Sequence, residues 1–298
     1  MKNCLLHKPV MVDEVVEFLC LKKGYKVLDA TIGLGGHADF ILKKIQPSGA
    51  LIGIDRDKAA LEIARKRLNK FNKICKLAHA NFKDLDKILK DQRIEKIDAA
   101  LFDIGISSYQ IEDANRGFSF ERDGPLDMRM DQSSPLRACD IVNKYKRIDL
   151  EEIIRDFGEE RYFRRITGFI LERRKNKPIS STRELAQLIE EAVGKWYKFQ
   201  KIHPATRTFQ ALRIAVNREL DNIKIALGKV LDFLNSGARL CVISFHSLED
   251  RIVKFRFKEF EAEGRGRVVT KKPLTATADE IRENPRSRSA KLRVFEKY

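Results

Sequence analysis

Three glycines follow an acidic residue in the segment Asp29-Ala-Thr-Ile-Gly-Leu-Gly-Gly-His37, and this spacing suits a nucleoside ligand. Gly33, Gly35 and Gly36 lack a Cβ atom, so the backbone at a strand-to-helix turn can approach a ligand closely. The pattern Gly33-x-Gly35-x-x-Ala38 also satisfies the dinucleotide fingerprint, in which a helix N-terminus receives a pyrophosphate. The glycines alone leave NAD, S-adenosylmethionine and an ordinary turn open.

Two acidic residues at the ends of apolar runs support a nucleoside ligand, and the first of them favours S-adenosylmethionine. A carboxylate at Asp29 would attract the cationic amino group of a methionine moiety and would repel a pyrophosphate. Asp55 ends the next apolar run and can accept hydrogen bonds from both ribose hydroxyls of either ligand. Helix capping or turn formation is the structural alternative for both acids. His37 either contacts the donor or is simply a surface or first-turn helical residue.

A third acidic residue, Asp103, lies in Phe102-Asp-Ile-Gly-Ile-Ser-Ser-Tyr-Gln110, where the chain leaves another apolar run. Catalytic groups of open α/β sheets lie at the carboxyl ends of the strands, so Asp103 is the candidate catalytic residue. Ser107 and Ser108 follow it and are candidates for substrate contact. A capping or turn role is the competing interpretation for all three residues.

Short apolar runs alternating with amphipathic stretches must position these acids. Strand patterns occupy residues 26–30, 50–55, 74–78 and 97–104, and helical patterns occupy residues 37–45, 58–71 and 83–90. This alternation is typical of βαβ units that build a parallel sheet. We therefore predict an α/β fold: a class I, Rossmann-like methyltransferase sheet, mostly parallel with an antiparallel edge, plus an inserted helical domain.

The alternation stops after Ser108, where helical patterns continue without a buried strand pattern. We predict a methyltransferase domain whose first part is residues 1–108 and whose second part, with a basic tail, is residues 206–298. An inserted helical domain for substrate recognition, residues 109–205, separates the two parts.

The second part begins with a pattern typical of one long helix over residues 206–234, followed by a strand over 239–245. Ser247 and Asp250 form a capping-box pattern that predicts the start of the next helix. Near the end of the chain, residues 267–270 and 292–296 have the pattern of paired antiparallel edge strands.

The charge of the chain favours a polyanionic partner. The 298 residues include 59 Lys and Arg against 43 Asp and Glu, which gives a formal net charge of +16. We favour nucleic acid over a membrane, because no apolar run is long enough to span a bilayer. Five scattered cysteines without C-x-x-C spacing, and an N-terminus without a signal-peptide pattern, predict a reduced, cytoplasmic protein.

Several long segments resemble one family over nearly the whole chain, from His7 to the C-terminus. Besides the segments around the glycine turn and Asp103, they are Arg116-Gly-Phe-Ser-Phe120, Asp123-Gly-Pro-Leu-Asp-Met-Arg-Met130, His203-Pro-Ala-Thr-Arg-Thr-Phe-Gln210, Ser244-Phe-His-Ser-Leu-Glu-Asp-Arg251 and Glu283-Asn-Pro-Arg-Ser-Arg-Ser289. Together they closely resemble the RsmH (MraW) family. These are bacterial methyltransferases that act on the exocyclic N4 of a cytidine in 16S ribosomal RNA.

The resemblance implies S-adenosylmethionine as the cofactor and 16S RNA, in its decoding region, as the substrate, within the small ribosomal subunit or a late assembly intermediate. The implied donor contacts are Gly35, Gly36, His37, Asp55, Phe82, Asp103 and Gln110. Phe82 and Gln110 rest on the resemblance alone; by their types they would be core packing and an exposed loop residue. Tyr109 departs from the proline that family members often have there, which puts the backbone at Gln110 in doubt.

The implied chemistry needs an acceptor for hydrogens and requires no metal. Cytosine N4 is a poor nucleophile because its lone pair is delocalised into the ring, and Asp103 is the first candidate to hold or remove its proton, ahead of Ser107 and Ser108. The base must also leave its stack, which requires extensive RNA contacts. Candidates for these contacts, each with a solvated charge or a helix salt bridge as the alternative, are Arg207, Arg213, Arg286 and Arg288.

Two other functional classes stay open from the residues alone. An NAD-dependent oxidoreductase fits the glycine turn and Asp55 but leaves Asp29 and the basic charge unexplained. A non-catalytic RNA-binding or ribosome-assembly protein accounts for the charge but has no need of a nucleoside pocket. The oligomeric state is also open, and a homodimer is compatible with the sequence.

Overall fold

The computed structural model describes residues 9–194, 197 and 202–298. The chain divides into two compact units: unit 1 combines Met1–Gly105 with Leu220–Tyr298, and unit 2 is Ile106–Glu219. Residues 1–8, which belong to the first predicted domain and include Cys4, lie outside the described residues. Within the described ranges, no helix is both long and apolar enough to cross a bilayer.

Unit 1 is built on a mixed sheet. Its strands are β1 (Lys26–Asp29), β2 (Ala50–Asp55), β3 (Cys75–His79), β4 (Ile97–Asp103), β5 (Leu234–Ser244), β6 (Gly266–Val268), β7 (Leu274–Thr275) and β8 (Lys291–Lys297). The first five pair in parallel in the order β3-β2-β1-β4-β5. β8 pairs antiparallel with β5, and both β6 and β7 pair antiparallel with β8. The predicted fold class is therefore confirmed.

The helices follow the strands in unit 1 and make up most of unit 2. In chain order they are α1 (Val12–Phe18), α2 (Gly36–Ile45), α3 (Lys58–Arg67), α4 (Leu85–Asp91), α5 (Ser108–Glu112), α6 (Ala138–Lys144), α7 (Arg147–Glu152), α8 (Phe163–Asn176), α9 (Thr182–Val193), α10 (Ala205–Asn217), α11 (Glu219–Phe233), α12 (Ser247–Ala262) and α13 (Ala278–Glu283).

The central strands are apolar on both faces because helices cover both faces of the sheet. Ala100 and Phe102 of β4 belong to a buried cluster with residues of α4, α11 and α12. Ala99 and Leu101 alternate with them and belong to a second cluster with residues of α1, α2 and α3. This three-layer arrangement leaves the carboxyl ends of β1, β2 and β4 as the places where polar side chains can collect.

The paired strands near the end of the chain form as predicted, but β8 is not an edge strand. It lies between β5 and β6, and Val242 of β5 faces Arg293 of β8 in the register. Leu292, Val294 and Phe295 are fully buried, because helices cover this part of the sheet too. The antiparallel strand that follows the five parallel strands, β8, therefore lies in the interior of the sheet.

Two predictions for the second half of the chain are wrong. The single helix over 206–234 is two helices, α10 and α11, which Arg218 separates in a left-handed conformation with φ +50°. The cap of α12 is His246 and its partner is Glu249, one residue before Ser247 and Asp250. Residues 206–219, placed by pattern with the second methyltransferase part, pack in unit 2.

Unit 2 has its own core, formed by the apolar faces of α6 to α10. Leu150, Ile166, Leu185 and Leu212 are fully buried there. The connection before α6 packs on this core through Leu126, Met128 and Met130, and it carries the segment Asp123–Met130 of the family pattern.

Candidate functional site

The glycine turn joins β1 to α2 in unit 1. Gly33 has φ +52° and Gly35, the N-cap of α2, has φ +78°, conformations that side chains of L residues rarely adopt. A Cβ at Gly35 would lie 3.0 Å from Leu68 Cδ1, and one at Gly36 would lie 3.1 Å from Pro9. The chain's own packing and dihedrals thus explain these glycines, and their predicted contact with a donor stays a prediction.

Asp55, at the end of β2, fixes the conformation of this turn. Its Oδ2 accepts a hydrogen bond from the Gly33 N–H at 2.8 Å, and its Oδ1 accepts one from the Asp57 N–H at 2.9 Å. Burial nevertheless raises the pKa of Asp55. A carboxylate has about four lone-pair sites, so two donated hydrogen bonds leave capacity for ligand hydroxyls.

Asp29, at the end of β1, is almost fully buried, with 1% of its surface exposed. Its Oδ1 accepts a hydrogen bond from the Thr31 N–H at 3.2 Å. Burial raises its pKa to about 7, although His37 and the Thr31 N–H act in the opposite direction. The carboxyl therefore loses its charge near neutral pH unless a cation lies beside it.

Asp103, at the end of β4, is held by its backbone, since its N–H donates to the Thr31 hydroxyl at 2.6 Å. Its Oδ1 is buried without a hydrogen-bond donor among the described residues. Burial, and next the negative charge of Glu249, raise its pKa to about 7. A quarter of the side chain is exposed although Oδ1 is buried, so another part of this side chain is open to solvent.

His37 is a first-turn residue of α2 and is 6% exposed. Its Nε2 lies 2.8 Å from the Val10 carbonyl oxygen, so this nitrogen carries the hydrogen. Its Nδ1 lies 3.6 Å from Asp103 Oδ2. Burial lowers the pKa of His37, and a neutral ring of this tautomer turns a lone pair towards the carboxyl of Asp103.

Phe82 follows β3 in a short 3-10 turn and packs in the core of unit 1. Its ring meets that of Phe102 edge-on, with the centroids 5.9 Å apart. Its side chain is largely buried, as its residue type alone suggests. Phe82 thus packs against Phe102, the residue that precedes Asp103 in the sequence, and donor contact by Phe82 stays a prediction.

Ser107, Ser108 and Gln110 lie at the start of unit 2. Ser107 is the N-cap of α5: its hydroxyl accepts from the Gln110 N–H at 3.2 Å, and the Gln110 side chain accepts from the Ser107 N–H at 3.1 Å. This capping box buries Gln110 to 4% exposure, so the expectation of an exposed loop residue is wrong. The capping alternative for Ser107 is confirmed, and Ser108 is also buried.

The four arginines proposed for RNA contact differ in how they are held. Arg213 forms a two-pronged ion pair with Glu219 at 2.9 and 3.0 Å and is largely buried, as the salt-bridge alternative predicts. Arg207 donates to the Glu159 carbonyl oxygen at 3.0 Å. Arg286 and Arg288 are exposed on a 3-10 turn. RNA contact stays a prediction for all four.

Two residues of the site in unit 1 were not identified from the sequence. Thr31, inside the glycine segment, joins two strand ends because its hydroxyl accepts from Asp103 and its N–H donates to Asp29. Glu249 is fully buried and accepts hydrogen bonds from the N–H groups of Phe245 and His246 at 2.8 and 3.3 Å. A capping pattern read one residue earlier would have found Glu249.

Comparisons with known proteins agree with the motifs. The model of the MraW methylase family matches residues 4–298. Ribosomal RNA small subunit methyltransferase H of Caldicellulosiruptor bescii is 49% identical, with 98% of this chain and 99% of the relative covered. The protein of the same name from Persephonella marina is 48% identical over 97% of this chain and 98% of the relative. An rRNA methylase structure from Streptococcus thermophilus has a TM-score of 0.43 and 15% identity, covering 98% of both chains. The chain therefore belongs to the MraW methylase family.

Proposed function

We propose that the protein transfers a methyl group from S-adenosylmethionine to the exocyclic N4 of a cytidine in the 16S RNA of the small ribosomal subunit, in its decoding region. The observation that carries this proposal is Asp103, an unused buried acceptor at a strand end, in a chain of the methylase family. The net charge of +16 supports an RNA substrate. Unit 2 would recognise the RNA, and the cytoplasm would be the location.

The acids of unit 1 fit a cationic nucleoside ligand. S-adenosylmethionine supplies a methyl group on a sulfonium, a good leaving group, and also carries an ammonium group. Asp29 and Asp103 have pKa values of about 7, so a neighbouring positive charge would keep both carboxyls ionised. Asp55 would accept hydrogen bonds from the ribose hydroxyls. It also accepts a hydrogen bond from the Gly33 N–H, which holds the glycine turn beside it.

Asp103 would act on the acceptor nitrogen. Its carboxylate, whose side chain is a quarter exposed, can accept a hydrogen bond from the amino group, which directs the nitrogen lone pair out of the ring plane as it attacks the methyl group. The carboxylate can then take the proton that the methylated nitrogen releases, because its pKa lies near neutral pH. The ionised form is the active one in both roles.

We test this role by replacing Asp103 with Asn and with Ala. Because only the carboxylate accepts a proton, kcat should fall at least about 100-fold in both variants. In the wild type, kcat/KM for the donor should rise with pH through about 7, because it reports the donor-free enzyme, and this rise should be shallower in Asp103→Asn, which keeps Asp29. Donor binding is measured separately with labelled S-adenosylmethionine. Unchanged kcat in both variants would remove Asp103 from the mechanism.

The substrate is tested on small ribosomal subunits purified from a strain that lacks the gene. We expect one methyl group per subunit, and mass mapping of the RNA should place it on cytidine N4. A methyl group on a carbon or on a ribose would contradict the proposal. Binding of labelled NAD in place of S-adenosylmethionine would favour an oxidoreductase, and donor binding without methyl transfer to RNA would favour a purely structural role.

A further inference from the structure

A basic groove of about 620 Å³ lies on unit 2, among α7, α8 and α9. Four arginines line it: Arg147 from α7 and Arg164, Arg165 and Arg173 from α8. It belongs wholly to unit 2 and includes none of the residues assigned above to the donor, to Asp103 or to RNA contact.

Ion pairs neutralise part of this groove and leave two guanidinium groups uncompensated. Arg147 pairs with Glu151 at 3.0 Å, and Arg173 lies 3.8 and 3.7 Å from Glu184 and Glu191. Arg164 and Arg165 are exposed, and no carboxylate in the described part of the chain pairs with either. Two adjacent positive charges of the groove thus face solvent.

An exposed aromatic ring lies next to these charges. Phe169 is 38% exposed, and it follows Arg165 by one helical turn, so the two side chains share a face of α8. The guanidinium of Arg164 lies 5.2 Å from the ring centre of Phe163, which holds it in place without removing its charge. A flat aromatic surface beside two guanidinium groups suits a ligand that has both bases and phosphates.

A glycine in the middle of α8 adds a second, independent sign of a ligand. Gly168 lines the groove, and a Cβ built there would meet nothing within 4 Å. Glycine is the least favourable helix residue after proline, and neither packing nor a positive φ requires it here. A ligand lying against the bare helix backbone, one turn after Arg164, would require it.

We propose that this groove binds a single-stranded segment of RNA, with phosphates at Arg164 and Arg165, a base stacked on Phe169 and the sugar-phosphate chain against Gly168. A single strand fits because a duplex hides its base faces. An acidic protein segment would use the charges but would need neither the ring nor the bare backbone. The proposal rests on the proposed function only in naming ribosomal RNA as the source.

The test measures binding of a labelled 12-nucleotide single-stranded RNA to the full chain without the methyl donor. For the double variant R164E/R165E, the slope of log affinity against log salt should become shallower by about 1.4, since each phosphate contact to a single strand is worth about 0.7. Phe169→Ala should bind about tenfold more weakly because a stacked base is lost. Arg183→Glu, an exposed charge reversal on α9 outside the groove, should leave the slope nearly unchanged.

If the groove acted only through its charges, the substitution Gly168→Ala would not change the affinity for RNA. The variant should fold with a raised melting temperature and still bind the RNA several-fold more weakly. Wild-type affinity in both Gly168→Ala and Phe169→Ala would overturn the proposal. So would a loss of binding to small subunits in R164E/R165E with naked RNA bound normally, because that result indicates a protein partner.

These outcomes are separate from those of the proposed function. If the groove variants lose RNA binding while the wild type transfers no methyl group to the subunit, the groove stands and the methylation proposal fails. If the wild type methylates cytidine N4 and R164E/R165E does so with an unchanged KM and salt slope, the function stands and the groove proposal fails.

Discussion

At the scale of single residues, the site holds acids whose protonation the fold favours. Burial raises the pKa of Asp29 to about 7, above its value of 3.8 in an unfolded chain. A group with a raised folded pKa stabilises the protein below the unfolded pKa and loses this contribution as pH rises through the folded pKa. Between about pH 4 and pH 7, ionisation of Asp29 therefore weakens the fold of the donor-free protein.

Asp29→Asn tests this directly, because asparagine keeps an acceptor for the Thr31 N–H but has no charge to bury. The variant should be more stable than the wild type at pH 8, by on the order of 4 kcal/mol, and no more stable at pH 4. Urea unfolding at the two pH values measures the difference. The same variant should bind S-adenosylmethionine more weakly.

A matched control has the opposite sign. Hydrogen bonds from Arg137 and Lys144 hold the pKa of Asp140 well below its usual range. Asp140→Asn should therefore lower stability at pH 8, and its effect should vanish in acid below the folded pKa. If Asp29→Asn also destabilises the protein at pH 8, burial does not control the ionisation of Asp29.

The sequence predicts the positions of the acids better than their surroundings. Asp29, Asp55 and Asp103 follow apolar runs, and the parallel sheet brings their strand ends to one edge. Their raised pKa values depend on neighbours distant along the chain. Thr31 and Glu249 are ordinary residues by type, and only the pairing of β4 with β1 and the start of α12 bring them to the site.

At the scale of elements, the end of α10 shows why one helix was predicted where two exist. The apolar spacing runs through residues 206–234 without interruption, so the pattern has no stop signal. The break follows Asn217, whose side chain accepts from the Met130 N–H at 2.9 Å and donates to the Met128 carbonyl oxygen at 2.8 Å. These partners lie more than eighty residues away along the chain.

Asn217→Ala should therefore destabilise unit 2, because it leaves the backbone groups of Met128 and Met130 buried without this partner. We expect a loss of about 2 to 4 kcal/mol in the free energy of unfolding, measured by urea titration. Gln187→Ala, on the exposed side of α9, should change it by less than about 0.5 kcal/mol. Equal effects of the two substitutions would show that the hydrogen bonds of Asn217 to Met128 and Met130 contribute nothing to stability.

Hydrogen bonds and close packing also give a structural reason for the segments of the family pattern within residues 116–130. Arg116 donates to the carbonyl oxygens of Arg129 and Met130 at 3.0 and 2.9 Å, and a Cβ at Gly117 would lie 2.1 Å from the Pro125 carbonyl oxygen. Structural contacts within residues 116–130, together with those of Asn217, thus account for this segment. A motif of this kind indicates a family from sequence but does not by itself mark a residue that binds substrate.

At the scale of the whole molecule, the net charge of +16 should govern binding of RNA but not of the donor. With about four phosphate contacts to a single strand, affinity for RNA should fall about 50-fold between about 50 and 200 mM salt. Affinity for S-adenosylmethionine should change less than about threefold, since a buried site is screened less. Equilibrium binding with each labelled ligand measures both. Parallel salt curves for the two ligands would contradict a charge-driven RNA interaction.

The fold class follows from the sequence because each βαβ unit is local, whereas the second boundary between the two units does not. The α/β alternation of residues 26–104 has a clear period, and the helices after Ser108 lack strands. The compact units divide at Gly105 and Glu219, and the second boundary lies within a continuous helical pattern. Periodicity shows which face of a helix is buried but not which core buries it.

The parallel pairing of β4 with β5 has a consequence for how the chain folds. Phe102 pairs with Val242 in the register, so closing this part of the sheet joins segments separated by the whole of unit 2. Such distant closure is entropically slow, whereas every contact within unit 2, residues 106–219, spans fewer residues than this closure does. Unit 2 should therefore acquire its core first and shorten the effective loop. Glu249, which follows β5 and raises the pKa of Asp103, would therefore reach the strand-end acids only in this last, slow stage of folding.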